Sequence, residues 1–237
     1  MTSPTPPFAP RVRAPGSSFV VAIDGPAASG KSSTAQWVAH ELDFLHVDSG
    51  SLYRAATAAA LEAAPNAALE ESAVLRAAEP VALVASGRSV VPARAGAEMD
   101  EVLRSAAVTQ HVSEVARMPR VRAWVNARVR AAAEGRDVVV DGRDMGTAVF
   151  PDAHVKVYLV ADPWERARRR LTQRLLRAPT DTEIAEETER LVQRDARDAA
   201  QSVPAANALL IDTTYLTQEE QVNRIVAMVR AIRGVAR

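Results

Sequence analysis

The sequence predicts a three-layer α/β/α fold built on a parallel sheet, and three observations point to it. Short apolar runs rich in β-branched residues recur at Phe19–Ile23, Val138–Val140 and Val155–Val160, of the kind a parallel sheet buries on both faces. Each is followed by a loop and then a helical pattern, the alternation that right-handed β-α-β crossovers require. The first of these loops, Asp24-Gly-Pro-Ala-Ala-Ser-Gly30, consists mostly of small residues and opens directly into a helical pattern at Lys31. In such a fold, ligands gather at the carboxyl ends of the strands.

Taken in order, Phe19–Ile23 reads as the first strand and Lys31–Leu42 as the first helix. Leu45–Val47 reads as a second strand, and the alanine-rich stretch Ser51–Glu62 as a helix that Pro65 and Asn66 end. From Leu69 to Arg104 the pattern breaks into short pieces, with Val81–Val84 and Ser89–Val91 as small strands joined by Ser86-Gly87. This stretch reads as an insertion. Val102–Arg117 and Pro119–Glu134 read as helices, the second opening on proline and stopped by Gly135. Asp162-Pro163 caps and starts a helix over Trp164–Arg177, and Thr182–Gln201 supplies another. Ala208–Ile211 reads as the last strand and Gln218 opens a terminal helix, with no internal repeat along the chain.

Composition excludes several classes of function. At 237 residues the chain carries one core with insertions. Acidic and basic residues balance at 29 each, so there is no global positive field for nucleic acid, and any polyanion site must be local. Cysteine is absent, which rules out thiolate chemistry and disulfides and fits a reducing, cytoplasmic compartment. No apolar run approaches the roughly 20 residues that span a bilayer. Residues 1–17, with Pro4, Pro6, Pro7, Pro10 and Pro15, read as a flexible tail ahead of a single domain over 18–237. A monomer without nucleic-acid or membrane partners is expected.

Gly25-Pro-Ala-Ala-Ser-Gly30-Lys31-Ser32 satisfies the P-loop pattern of a glycine, four residues, then Gly-Lys-Ser. Its backbone N–H groups converge on phosphate oxygens, and the following helix aims its positive end at them. The candidate ATP-binding residues are Gly25, Pro26, Ala27, Ala28, Ser29, Gly30, Lys31, Ser32 and Ser33. Lysine occurs only at 31 and 156 while arginine serves everywhere else, so Lys31 stands where the chemistry needs it, reaching the outer phosphates. The hydroxyl of Ser32, or of Ser33 beside it, is the candidate ligand for Mg²⁺.

A P-loop alone does not separate kinases from GTPases, motors or transport subunits. An Asn-Lys-x-Asp guanine reader is missing, and arginines and carboxylates cluster at four places instead. These are Asp48-Ser-Gly50 with Tyr53-Arg54, Pro119-Arg-Val-Arg122, Asp141-Gly-Arg-Asp144 and Arg194-Asp-Ala-Arg-Asp198. Planar guanidinium groups suit the clamping of donor and acceptor phosphates, and Asp141–Asp144 follows a buried-type strand, where this fold builds its sites. The arginine-rich run Glu165–Arg177 reads as a mobile lid over the ATP phosphates, with a solvated helix as the alternative. These features leave CMP, UMP, AMP or shikimate open as acceptors, together with a module that binds ATP without turnover.

Ile23-Asp-Gly-Pro with the P-loop, Asp48-Ser-Gly then Tyr53-Arg54, Pro119-Arg-Val-Arg122, and above all Asp141-Gly-Arg-Asp-Met-Gly-Thr147 with Phe150-Pro-Asp-Ala153 resemble bacterial-type cytidylate kinases. The similarity runs from about Val20 to Arg230. It implies a P-loop kinase core with an enlarged nucleotide-acceptor insertion, about 51–133, and a short helical lid, about 165–195. It further implies that ATP with Mg²⁺ phosphorylates CMP and dCMP to CDP and dCDP, a step of pyrimidine nucleotide metabolism. By family likeness Ser113, Arg122 and Asp144 read the cytosine edge, Arg194 and Asp198 hold the sugar, and Ser49, Arg54 and Arg143 engage the acceptor phosphate. Lys31, Arg143 and Arg194 are the implied catalytic residues. One position departs from the family pattern: Gln201 stands where another arginine is expected, with Arg197 or a lid arginine as the substitute.

Overall fold

The computed structural model describes residues 18–65 and 67–234. The expected tail over 1–17 and the helix-ending Asn66 lie outside the described residues. A mostly parallel sheet carries the molecule, with strands β1 (Val20–Asp24), β2 (Leu45–Asp48), β3 (Ala82–Ser86), β4 (Ser89–Arg94), β5 (Ala97–Glu98), β6 (Val138–Gly142), β7 (Val155–Val160) and β8 (Leu209–Asp212). Its order is β3-β4-β2-β6-β1-β7-β8, with β5 paired to β4. Strands β4, β2, β6, β1, β7 and β8 run parallel, whereas β3 and β5 pair antiparallel to β4. The parallel sheet expected from the sequence is present, with an antiparallel hairpin added at one edge. There, a two-residue turn at Gly87-Arg88, one position beyond the expected Ser86-Gly87, closes a hairpin, and a tight turn joins only antiparallel strands.

Alternation of side chains explains why the central strands are apolar throughout. On β1, Val20 and Ala22 pack into one core with Val138 and Val140 of β6. Val21 and Ile23 pack into the other with Val139. The second face is covered by α1 (Lys31–Leu42) and α9 (Gln218–Arg233), through Ala35, Val38, Val222, Ile225 and Val229. The first is covered by α2 (Ser49–Ala63), α3 (Glu71–Ala78), α5 (Ala106–Val115) and α6 (Pro119–Ala133). On α6 the stripe Val121, Val125, Val129, Ala133 recurs every four residues and is buried, each valine contributing about 1.5–3 kcal/mol.

Local signals set most helix ends. Pro119 starts α6, and Asp162 caps α7 (Pro163–Leu175) by accepting from the N–H groups of Trp164 and Glu165. Capping boxes, Thr180 with Glu183 and Thr217 with Glu220, start α8 (Asp181–Asp198) and α9. Two expectations are corrected. The helix read over Val102–Arg117 is broken into α4 (Asp100–Leu103) and α5, because Ser105 accepts from the N–H of Val108 and restarts the helix. The stretch read as short pieces also contains α3, whose Val74 and Ala78 are buried in the first core. No helix among the described residues is long and apolar enough to cross a membrane.

Candidate active site

The carboxyl ends of β1, β2 and β6 bring Asp24, Asp48 and Asp141 together beside the P-loop, Asp48 standing opposite Asp141 in register. The loop owes its path to two glycines. A Cβ on Gly25 would lie 2.5 Å from the carbonyl oxygen of Leu159, and Gly30 caps α1 in the left-handed region at φ 85°. Lys31 folds back so that its Nζ donates to the carbonyl of Pro26 at 3.2 Å. Ser32 donates its hydroxyl to Oδ2 of Asp141 at 2.6 Å. Ser33 instead donates to the carbonyl of Gly30 at 2.9 Å and reaches Gln218, so of the two candidate metal ligands only Ser32 faces the carboxylates.

Cations surround this point. Arg143 Nη1 donates to the carbonyl of Gly25 at 3.1 Å, and its Nη2 lies 3.5 Å from Asp198. Arg194 Nε stands 3.7 Å from the same carboxylate. The Nε atoms of Arg143 and Arg194 are buried and have no hydrogen-bond partner among the described residues. Burial, with Arg143, Arg54 and Arg170 nearby, pushes Arg194 down to about 10. Burial, then Arg143, with Asp141 and Asp48 opposing, pushes Lys31 down to about 7. These cations crowd around a loop of small residues, where burial and mutual repulsion disfavour their charged forms.

A second polar cluster is built by α2, α5, α6 and the turn after β6. Arg122 is ion-paired to Asp144, and its Nη1 also donates to the carbonyl of Ala116 at 3.0 Å. Asp144 is buried, and burial raises its carboxyl while Arg122 opposes the rise. The hydroxyl of Tyr53 sits buried near both without a partner among the described residues, and burial pushes it up to about 12. Ser49 donates to the carbonyl of Asp141 at 2.8 Å. Arg54 is held by the carbonyl of Leu103 at 3.0 Å and by Thr109 at 3.2 Å. Ser113 is buried on α5.

The arginine-rich α7 is not uniformly charged. Arg166 is buried and joins the carbonyl of Ala27 at 2.8 Å to Asp195 of α8 at 2.7 Å. Arg170 pairs with the buried Glu187 at 3.0 Å, and Glu165 takes both Arg168 and Arg169. Ala167, Leu171, Ile184 and Leu191 form a small core with Ala27 of the P-loop, so the α7–α8 hairpin packs on the loop it was expected to cover.

The cytidylate kinase family model matches residues 21–231. The chain belongs to the cytidylate kinase family. It is 42% identical over 214 residues to the cytidylate kinase of Geobacillus kaustophilus, covering 88% of this chain and 95% of that protein. It is 43% identical over 213 residues to the cytidylate kinase of Thermus thermophilus, covering 89% and 98%. Against the cytidylate kinase of Limosilactobacillus fermentum the identity is 39% over 210 residues, covering 86% and 92%.

Several residues of this cytidylate kinase family member escape a reading by motif. Asp24 accepts from the N–H groups of Met145 and Gly146, each at 2.8 Å, and so pins the π-helical turn Met145–Val149 that follows Asp144. Asp195 accepts from the N–H of Ala27 at 3.2 Å. His46 lies 2.8 Å from Oδ1 of Asp141. Burial disfavours its charged form, yet the hydrogen bond and charge of Asp141 hold it above the ordinary histidine value. The Asp-Gly-Pro string around residue 24 is the available signal for Asp24 and the Arg194–Asp198 cluster the one for Asp195, whereas His46 carries none.

Clustered carboxylates have a measurable consequence for stability. Burial first, then Asp141, pushes Asp48 up to about 6 from 3.8. Between those values the folded chain holds a proton that the unfolded chain releases, so this group's contribution to stability falls as pH rises through the window. Its ionised form costs stability above it. Asp48→Asn keeps the acceptor for the N–H of Gly50, at 2.8 Å, and removes the charge. Denaturant unfolding is expected to show about 1–3 kcal/mol of stabilisation at pH 7.5 and little near pH 3.5, below both values. An equal shift at both pH values would rule out the charge as its cause.

Proposed function

We propose that this chain transfers the terminal phosphoryl group of ATP to CMP or dCMP, giving ADP and CDP or dCDP. The observation that carries the reading is the buried Arg122–Asp144 pair beside the phosphate cradle of Lys31, Arg143 and Arg194. Cytosine presents an amino donor next to a ring-nitrogen acceptor, which match a carboxylate and a guanidinium respectively. Uracil would turn a carbonyl oxygen toward Asp144 and leave that carboxylate facing an acceptor. The cytidylate kinase relatives support the same assignment.

No covalent intermediate with the protein is needed. An oxygen of the acceptor phosphate attacks the γ-phosphorus, the bond to the bridging oxygen breaks, and ADP leaves with the electron pair. Lys31 and the P-loop amides hold the donor phosphates. Arg54 and Ser49 hold the acceptor phosphate, Arg143 and Arg194 neutralise charge spread over the transferring oxygens, and Asp198 orients the sugar and both arginines. Ser113 joins Arg122 and Asp144 at the base.

The residues present fit Mg²⁺, which prefers one or two protein oxygens together with substrate phosphates and water. The Ser32 hydroxyl proton points at Asp141, so its lone pairs are left for a cation, and no larger metal-holding cluster occurs among the described residues. When bound, Mg²⁺ would offset phosphate charge. The insertion over about 51–133 supplies the acceptor side, and the hairpin within about 165–195 is the lid whose closure keeps water from the γ-phosphate. Arg170 is the better substitute for the arginine replaced by Gln201: its charge reaches both Arg54 and Arg194, whereas Arg197 turns back to the carbonyl of Gln193 at 3.3 Å.

Coupled measurement of ADP formation with CMP, dCMP, UMP and AMP tests the assignment. Turnover is expected to be fastest with CMP or dCMP. A preference for UMP or AMP, or ATP binding without turnover on any acceptor, overturns it.

A further inference from the structure

A chain of hydrogen bonds crosses three neighbouring strands and ends at the P-loop. Ser89 Oγ on β4 lies 3.2 Å from His46 Nδ1 on β2, and His46 Nε2 lies 2.8 Å from Asp141 Oδ1 on β6. Asp141 Oδ2 then accepts the Ser32 hydroxyl at 2.6 Å. The register makes this reach possible: His46 stands opposite Val139, two residues before Asp141, so both side chains emerge on the same face of the sheet. Asp141 is fully buried and His46 nearly so.

We propose that His46 is a positioning residue for the metal-nucleotide subsite, acting through Asp141 on Ser32; the inference rests on the function proposed above. A carboxylate only accepts hydrogen bonds, so both neighbours of Asp141 must donate to it. With Oδ1 held by the imidazole, the carboxylate cannot turn about its terminal torsion, and Oδ2 stays fixed on Ser32. The serine proton is thereby committed to Asp141, and its lone pairs keep one direction, toward the bound nucleotide. Ser89 fixes the ring from the other side. Without the imidazole, a buried oxygen loses its donor, and Asp141 gains a reason to rotate toward Lys31 or to recruit the Ser32 hydroxyl differently. Partners that orient a ligand in this way typically change metal affinity about 10- to 100-fold when removed.

The test compares ATP binding by titration calorimetry, in Mg²⁺ and in EDTA, for the wild type, His46→Leu and His46→Gln. Leucine removes the donor, whereas the glutamine amide can place a donor near the ring Nε2 position. His46→Leu is expected to reduce the Mg²⁺-dependent gain in ATP affinity about tenfold, leave affinity in EDTA unchanged, and be rescued by His46→Gln. If the leucine variant does not fold, His46→Asn serves in its place, because its shorter side chain cannot reach Asp141. A Mg²⁺-dependent gain equal to wild type in the leucine or asparagine variant overturns the proposal. So does a loss of equal size in Mg²⁺ and EDTA, or the absence of rescue by glutamine. A wild-type chain that binds no ATP would instead sink the proposed function itself.

Discussion

Lys31→Ala is expected to lower turnover about a thousandfold while leaving the fold intact. The side-chain nitrogen is held over the P-loop by the carbonyl of Pro26. Its charge is disfavoured by burial and by Arg143, which push it down to about 7. Nucleotide phosphates reverse that balance, and the gain is largest when charge builds on the transferring group. Because a folded-state value below 10.5 means that the buried ammonium costs stability at neutral pH, its removal should not lower the melting temperature. Steady-state kinetics and thermal unfolding of the same preparation check both halves. Near-full turnover in the variant would refute the assigned role, and a collapsed melting temperature would leave Lys31 a structural residue.

Asp144→Asn should cost about a hundredfold or more in kcat/KM with CMP and shrink the preference for CMP over UMP. The wild-type carboxylate is buried, paired with Arg122 and fixed in place by Asp24 through the N–H groups of Met145 and Gly146. That rigidity turns a hydrogen-bond mismatch into discrimination, because a uracil carbonyl cannot escape the carboxylate by moving it. The asparagine amide offers a donor as well as an acceptor, so uracil gains what cytosine loses. Kinetics with both acceptors at saturating ATP measure the ratio. An unchanged CMP to UMP ratio would mean that the base is read elsewhere, even if both rates fall.

Much of the candidate site was legible because its chemistry is written in contiguous strings. Gly25–Ser32 must be nearly continuous, since consecutive amides wrap one polyphosphate, and Asp141–Asp144 must be continuous, since one turn presents both Arg143 and Asp144. The break within Val102–Arg117 leaves no mark in the sequence for a local reason: apolar periodicity persists through Arg104-Ser105, and only the cap bond of Ser105 shows it. The edge hairpin is legible from its turn, but the parallel pairing of β4 with β2 that brings Ser89 to His46 is not.

From residues alone came the strand-loop-helix around Gly25, the capped helices at Asp162 and Pro119, and the candidate phosphate and base contacts, all governed by neighbours a few positions apart. The folded chain alone disclosed that Asp24 steadies the turn after Asp144, that Asp195 and Arg166 hold Ala27, and that His46 and Ser32 share Asp141. Those contacts join segments far apart along the chain. Strand order and register create them, and neither leaves a periodic trace in the local pattern of polar and apolar residues.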